Sequence, residues 1–229
     1  LTTPFPVRST ENRQTANHKY PLLAREGWPH TVLVIALAAG VHYFAGFAAA
    51  APFWLFGIFV LQFFRDPARQ VALEPGAVVC PADGRVIAIG EAYDPYLKRL
   101  ALRVSIFMNV FNVHSNFSPA TGVVQQRWYS QGKFFNAALD KASAENERNA
   151  LWIKTDDGED IVVVQVAGLI ARRILCYVGV ADRLNRGDRY GFIRFGSRVD
   201  IYLPLNSKIR VSLGNKVKAG SDIVGILLH

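Results

Sequence analysis

From Thr31 to Phe64 the chain runs for 34 residues without an Asp, Glu, Lys or Arg, and nothing else in the sequence limits its fold so sharply. A straight α-helix of that length would measure roughly 51 Å, far more than the ~30 Å hydrocarbon core of a bilayer. Two ideal spans would use about 40 residues. The run therefore predicts two short helices folded into a hairpin or re-entrant anchor, broken in the Gly40 to Gly46 stretch or at Pro52, where glycine freedom or a missing N–H interrupts the helix. Arg8, Arg13, Lys19 and Arg25 precede the run, and Arg65 and Arg69 follow it. The positive-inside tendency then puts both ends, and the domain that follows, on the cytoplasmic side of the cell membrane. A buried helix pair of a soluble protein is the competing reading, although uncharged runs this long are rare in soluble cores. A cleaved signal peptide fits less well, because the run starts 30 residues in and exceeds the usual apolar core of about 7–15 residues.

Composition agrees with a membrane-associated globular chain: 51% of residues are hydrophobic and 19% charged, which excludes disorder and collagen-like structure. The net charge of +8 favours an anionic partner. An anionic lipid surface suits the apolar run, whereas no nucleic-acid recognition motif is present and no nucleic acid is expected. Cys80 and Cys176 lack any zinc-type spacing, so neither a metal nor a disulfide is expected, and both read as buried thiols. Three zones result: a leader over 1–30, with Trp28 and His30 at the membrane boundary, a hydrophobic segment over 31–64, and a domain over 65–229.

That domain reads as mainly β within an α+β class, with short apolar runs between turn residues. The runs are Arg85–Ile89, Ala101–Met108, Val123–Tyr129, Leu151–Thr155, Ile161–Val166, Ile174–Val178, Val199–Leu203 and Ile209–Leu213. Asp156, Asp157 and Gly158 predict a hairpin turn, and Asn136–Arg148 a solvated helix or a loop over a site. PADGRVIAIG and KVKAGSDIVGIL each set a glycine turn beside a short strand, as in β-sandwich folds of the lipoyl and biotinyl carrier type. Neither offers the exposed lysine such carriers modify, so the likeness concerns architecture.

Three polar residues stand among apolar or turn residues: Asp83 in PADG, His114 in FNVHSNFSP and Ser197 in RFGSR. Singly, each has a bland explanation as a turn former, a satisfied structural histidine or a turn serine. Together they are the parts of a relay in which carboxylate orients imidazole, imidazole takes a hydroxyl proton, and hydroxyl attacks a carbonyl. Gly196 makes its own carbonyl accessible to Ser197 Oγ. An N-to-O acyl shift, elimination and hydrolysis would then cut the chain and leave a pyruvoyl group. Two other readings stay open: a membrane-anchored serine hydrolase using Ser197, His114 and Asp83, and a non-enzymatic lipoyl-like carrier or interaction module.

From about Phe64 onward the chain resembles the phosphatidylserine decarboxylase proenzymes of the short bacterial and archaeal kind. The resemblance is carried by FRDPARQ (64–70), PADGRV (81–86), FMNVFNVHSNFSP (107–119), NERN (146–149), GDRYGFIRFGSRVDIYLP (187–204) and VKAGSDIVG (217–225), in that order. It implies self-cleavage between Gly196 and Ser197, a β subunit of residues 1–196, and an α subunit of 197–229 that begins with the pyruvoyl cofactor. The two subunits would form a heterodimer, with higher homo-oligomers open. It implies that Asp83 and His114 serve maturation, and that phosphatidylserine in the bilayer is decarboxylated to phosphatidylethanolamine and CO2 through a Schiff base to the pyruvoyl. Longer relatives carry a second histidine where this chain has Phe111, so His114, a backbone group or water would take over its part in turnover. Two expectations follow: His114→Ala or Asp83→Asn leaves the chain largely uncleaved, and removing residues 1–64 frees the domain from membranes while leaving self-cleavage intact.

Overall fold

In the computed structural model, which describes residues 13–15, 22–138, 145–168, 173–194 and 196–228, the uncharged run forms one helical element, α1 (Trp28–Phe63), interrupted at Gly46 (φ 79°, ψ 174°). Only glycine reaches that torsion without strain. The break therefore falls at a glycine, while Pro52 is tolerated inside the second limb. The limbs, each about 26 Å long, run back along one another, since a Cβ on Gly57 would stand 3.6 Å from Val34 Cγ1. Thr31, Val34, Ala38, Ala50, Gly57 and Val60 are the buried positions between them, and their small or β-branched side chains allow close approach. Val32, Leu33, Phe44, Phe47, Leu55 and Ile58 face outward and are exposed. α1 is long and apolar enough to cross a membrane.

The feet of the hairpin are tied together and to the β domain. Ala24 N–H donates to Phe64 O at 2.7 Å and Asp66 N–H to Leu22 O at 2.6 Å. Arg189 pairs with Glu26 at 2.9 Å and with Asp66 at 3.3 Å, and the Tyr177 hydroxyl donates to Glu26. Phe63 and Phe64 pack on Phe192 with Leu175 and Tyr177. Of the sequence-derived leader, only 13–15 and 22–30 lie within the described residues.

The strands are β1 (Arg13–Thr15), β2 (Gln70–Ala72), β3 (Ala77–Val79), β4 (Gly84–Asp94), β5 (Arg99–Met108), β6 (Ser115–Phe117), β7 (Gly122–Ser130) and β8 (Arg148–Thr155). They continue with β9 (Asp160–Val166), β10 (Ile174–Cys176), β11 (Arg183–Leu184), β12 (Arg189–Ile193), β13 (Ser197–Leu203), β14 (Lys208–Ile209), β15 (Lys216–Val217) and β16 (Ile223–Ile226). Among the described residues an eight-stranded antiparallel sheet runs β11-β7-β8-β9-β13-β5-β4-β15. Two three-stranded sheets, β10-β12-β6 and β14-β16-β3, join it in one apolar core: Val104, Ile106, Leu151, Val163, Val199 and Ile201 meet Val78, Ile174, Tyr190 and Val224 there. The protein is thus mainly β with a helical N-terminal element. The two glycine-turn segments at opposite ends of the domain lie together, Lys216 opposite Arg85 and Ile223 opposite Val79.

Some expectations shift. The run Ile209–Leu213 is strand only at its first residue, and Ile174–Val178 ends as a strand at Cys176. Of 136–148, residues 139–144 lie outside the described residues. Asn136 to Ala138 form coil and turn, and Arg148 already opens β8. Cys80 is buried, but Cys176 is only partly so, because its short strand lies away from the centre of the core.

Candidate active site

β13 is the middle of the large sheet, paired with β9 on one side and β5 on the other, and all seven of its residues are buried. Ser197 opens it, opposite Met108 at the end of β5. Its side chain shares the face of Val199 and Ile201, and among the described residues Oγ reaches only the thioether of Met108, at 3.4 Å. A thioether is a weak acceptor, so the hydroxyl is held without strong competition for its proton. Gly196 has φ 57°, the left-handed region that glycine occupies without cost, and the space where a side chain would stand is open. Asn116 Nδ2 also contacts Met108 Sδ, at 3.8 Å, and a buried amide chain through Gln165 to Asn149 holds Asn116 in turn.

His114 is buried where the loop after β5 enters β6, and its carbonyl accepts from Ile193 N–H at the end of β12, three residues before Gly196. Nδ1 lies 2.9 Å from Asn112 O; a carbonyl can only accept, so Nδ1 carries the proton and Nε2 the lone pair. Nε2 is buried and has no hydrogen-bond partner among the described residues. Burial pushes the imidazole down to about 4, Arg65 adding to the fall, so the ring is a neutral base at pH 7. Its face lies on Phe63, with ring centres 4.2 Å apart. The end of the hairpin is therefore a wall of the site.

Asp83 sits in the turn between β3 and β4. Its carboxylate forms a fork with Arg69, at 3.0 and 3.2 Å, and accepts Ala219 N–H at 2.8 Å. It makes no hydrogen bond to His114, whose Nδ1 uses the Asn112 carbonyl instead. Arg65 stands between the two, its charge felt by both Asp83 and His114, with its guanidinium donating to Phe111 O at 2.8 Å and to Gln62 O. Arg65, Arg69, Gln70, Asp83, Val113 and Lys218 line a cavity of about 430 Å³ beside the hairpin foot. Phe111 is exposed and brings a carbonyl, not a proton-carrying side chain, to this region.

The structure thus gathers His114 and Ser197 around the β5, β6 and β12 ends, without a hydrogen bond between them, and sets Asp83 one cavity away. Sequence reasoning passed over Phe63, Arg65, Arg69 and Met108 as site residues. The two arginines and Met108 had a signal, since they fall in the FRDPARQ and FMNVFNVHSNFSP segments; Phe63 had none beyond being apolar.

Comparison with known proteins shows the family. The family model for phosphatidylserine decarboxylase matches residues 56–225, from the second limb of the hairpin to β16. A phosphatidylserine decarboxylase proenzyme of Nitrosomonas europaea is 57% identical over 210 residues, covering 92% of this chain and 97% of the relative. The one from Aromatoleum aromaticum is 59% identical over 211 residues, with 92% and 98% covered. Burkholderia mallei has another, 57% identical over 211 residues, with the same coverage. These matches define the class of the protein, a decarboxylase. The chain belongs to the phosphatidylserine decarboxylase family.

Proposed function

We propose that this chain is a proenzyme that cuts itself between Gly196 and Ser197 and then decarboxylates phosphatidylserine to phosphatidylethanolamine at the membrane. One observation carries the reading: an unobstructed left-handed glycine directly before a buried serine whose hydroxyl meets, among the described residues, only a thioether. Ser197 Oγ adds to the Gly196 carbonyl carbon, and its proton goes to the free Nε2 of His114. The Gly196–Ser197 C–N bond breaks, leaving an ester and the protonated amine of Ser197. His114 Nε2, free again once it has protonated that amine, takes the Ser197 α-proton as the ester C–O bond breaks and the Gly196 carboxylate leaves, and water then hydrolyses the resulting dehydroalanine, as its imine, to ammonia and a pyruvoyl terminus. Asp83 serves this chemistry by position, fixing the 218–222 turn through Ala219 N–H and balancing Arg65 and Arg69 beside the imidazole.

The buried, water-poor setting of Ser197 fits such a group, which supplies an electron sink for the departing carboxylate. Around it the protein's own residues would bind and orient the lipid. The cavity of Arg65, Arg69 and Lys218 accommodates an anionic head group, and α1 crosses or enters the bilayer with the β domain on the cytoplasmic side. His114, whose Nε2 has no partner among the described residues, would handle protons in turnover as well as in maturation, since Phe111 offers none. The fragments 1–196 and 197–229 stay together as a heterodimer, because β13 is paired on both sides and β15 and β16 pair with β4 and β3. The interlocked segments around Asp83 and Ala219 also support the lipoyl-like likeness of the two glycine turns.

A denaturing intact-mass spectrum of the full chain purified from membranes tests the reading. Two species, the smaller being 197–229 with a pyruvoyl in place of its first serine, are expected. A single unbroken chain with esterase activity would favour a serine hydrolase instead.

A further inference from the structure

When a hydroxyl adds to a carbonyl, negative charge gathers on the carbonyl oxygen, and whatever faces that oxygen decides how well it is held. For Gly196 the facing group is Gly168. A Cβ placed on Gly168 would stand 1.5 Å from the Gly196 oxygen, 2.7 Å from its carbonyl carbon and 3.3 Å from Ala137 Cβ. Gly168 has no left-handed φ, so glycine is demanded here by the space the Gly196 carbonyl occupies and not by backbone torsion.

The strand end that carries Gly168 is clamped. Asn146, fully buried, donates from Nδ2 to Ala167 O and to Phe135 O, both at 2.7 Å, and accepts Phe135 N–H at 2.9 Å. On the other side Arg198, the residue after Ser197, donates to Ala137 O at 3.1 Å and forks onto Asp200. Gly168 is thus fixed between the Asn146 amide and a loop tied to the nucleophile's own strand.

We infer that Gly168 is a positioning residue for self-cleavage, setting the Gly196 carbonyl for attack by Ser197 Oγ, and that Asn146 is its clamp. The inference rests on the self-cleavage proposed above and adds residues to it. A displacement of about 1 Å at a reacting centre costs on the order of 100-fold, so Gly168→Ala is expected to slow appearance of the 197–229 fragment about 100-fold. Asn146→Ala, which leaves buried backbone groups unpaired, is expected to slow it about 10-fold.

The experiment follows fragment formation by mass in full-length protein in membranes, for wild type, Gly168→Ala, Asn146→Ala and a control, Gly122→Ala. Gly122 is also crowded by a backbone carbonyl, its Cβ position lying 2.2 Å from Lys154 O, but it sits in β7, three strands away from β13 in the large sheet. Hydroxylamine, which splits an ester at 196/197 but not an amide, is added to a parallel sample of each. The expected result is a cleaved wild type and control, and a Gly168→Ala chain that stays whole even with hydroxylamine, because the acyl shift itself is blocked. Wild-type cleavage in Gly168→Ala, or hydroxylamine fragments from its uncleaved form, would overturn the inference while leaving the proposed function standing. If Gly168→Ala does not fold, Asn146→Ala decides: wild-type cleavage in that variant overturns the inference. An uncleaved wild type would instead remove the proposed function itself.

Discussion

Asp83 and Ser197 end the same proposed relay, yet their surroundings are opposites. The Asp83 carboxylate is filled by two guanidinium contacts and a backbone N–H, while Ser197 Oγ has a thioether and nearby His114 Nε2 has nothing among the described residues. A saturated, partly buried charge fixes geometry, and an under-occupied hydroxyl and imidazole keep their reactivity. One end of the site is built as structure, the other as chemistry.

The sharpest break of that contrast is at the reactive end. Ser197→Ala is expected to abolish cleavage, and His114→Ala to slow it about 1,000-fold, read as the yield of the 197–229 fragment over time. Phe63→Ala comes next: stripping the ring from the imidazole costs about 3 kcal/mol of stability and admits water. His114 would then titrate above its present value of about 4, so the acid limb of the cleavage rate moves to higher pH. An unchanged limb would mean that Phe63 does not shield the base. Asp83→Asn is expected to slow cleavage only about 10-fold while lowering the unfolding free energy by about 3 kcal/mol through the stranded Arg69, as denaturant titration would measure. A loss equal to that of His114→Ala would show the carboxylate acting directly on the imidazole.

The smallest change expected is with pH itself. Because burial holds His114 near 4, the cleavage rate should stay flat from pH 8 to about pH 5. Stability behaves differently. The unfolded chain takes up a proton near the ordinary histidine value of 6.5 that the buried ring refuses until about 4, so stability is full above 6.5 and is lost as pH falls from 6.5 to 4. The loss amounts to about 3 kcal/mol, and His114→Gln should flatten it.

Much of this molecule could be read without coordinates, for reasons that differ by region. The hairpin was legible because an uncharged run longer than one span and shorter than two leaves few options, and Gly46 lay in the expected interval. Strands β4, β5, β7, β8 and β9 were legible because their alternating, turn-bounded runs are local signals. β6, β11 and β15 have two or three residues each and owe their pairing to partners far along the chain, which no window reveals. Ser197, His114 and Asp83 stood out as polar residues in apolar settings. Gly168 could not stand out, since its role arises from another segment's carbonyl passing close by. The expectation that residues 1–64 are a detachable tether missed the same kind of fact: Phe63 covers His114, and Glu26 and Phe64 lock onto β12, so removing them should impair cleavage as well as membrane binding.

The place of β13 at the middle of the large sheet has a consequence for the life of the molecule. Once the bond before it is cut, the native state loses little, for the strand keeps both neighbours. The unfolded state changes altogether, because it becomes two separate chains. Refolding then needs an encounter between them and depends on concentration, and a 33-residue fragment (197–229) without its sheet has no core of its own. The proenzyme can fold as one chain, but the matured protein survives by never letting go, its durability set by the rate at which β13 comes out of the sheet.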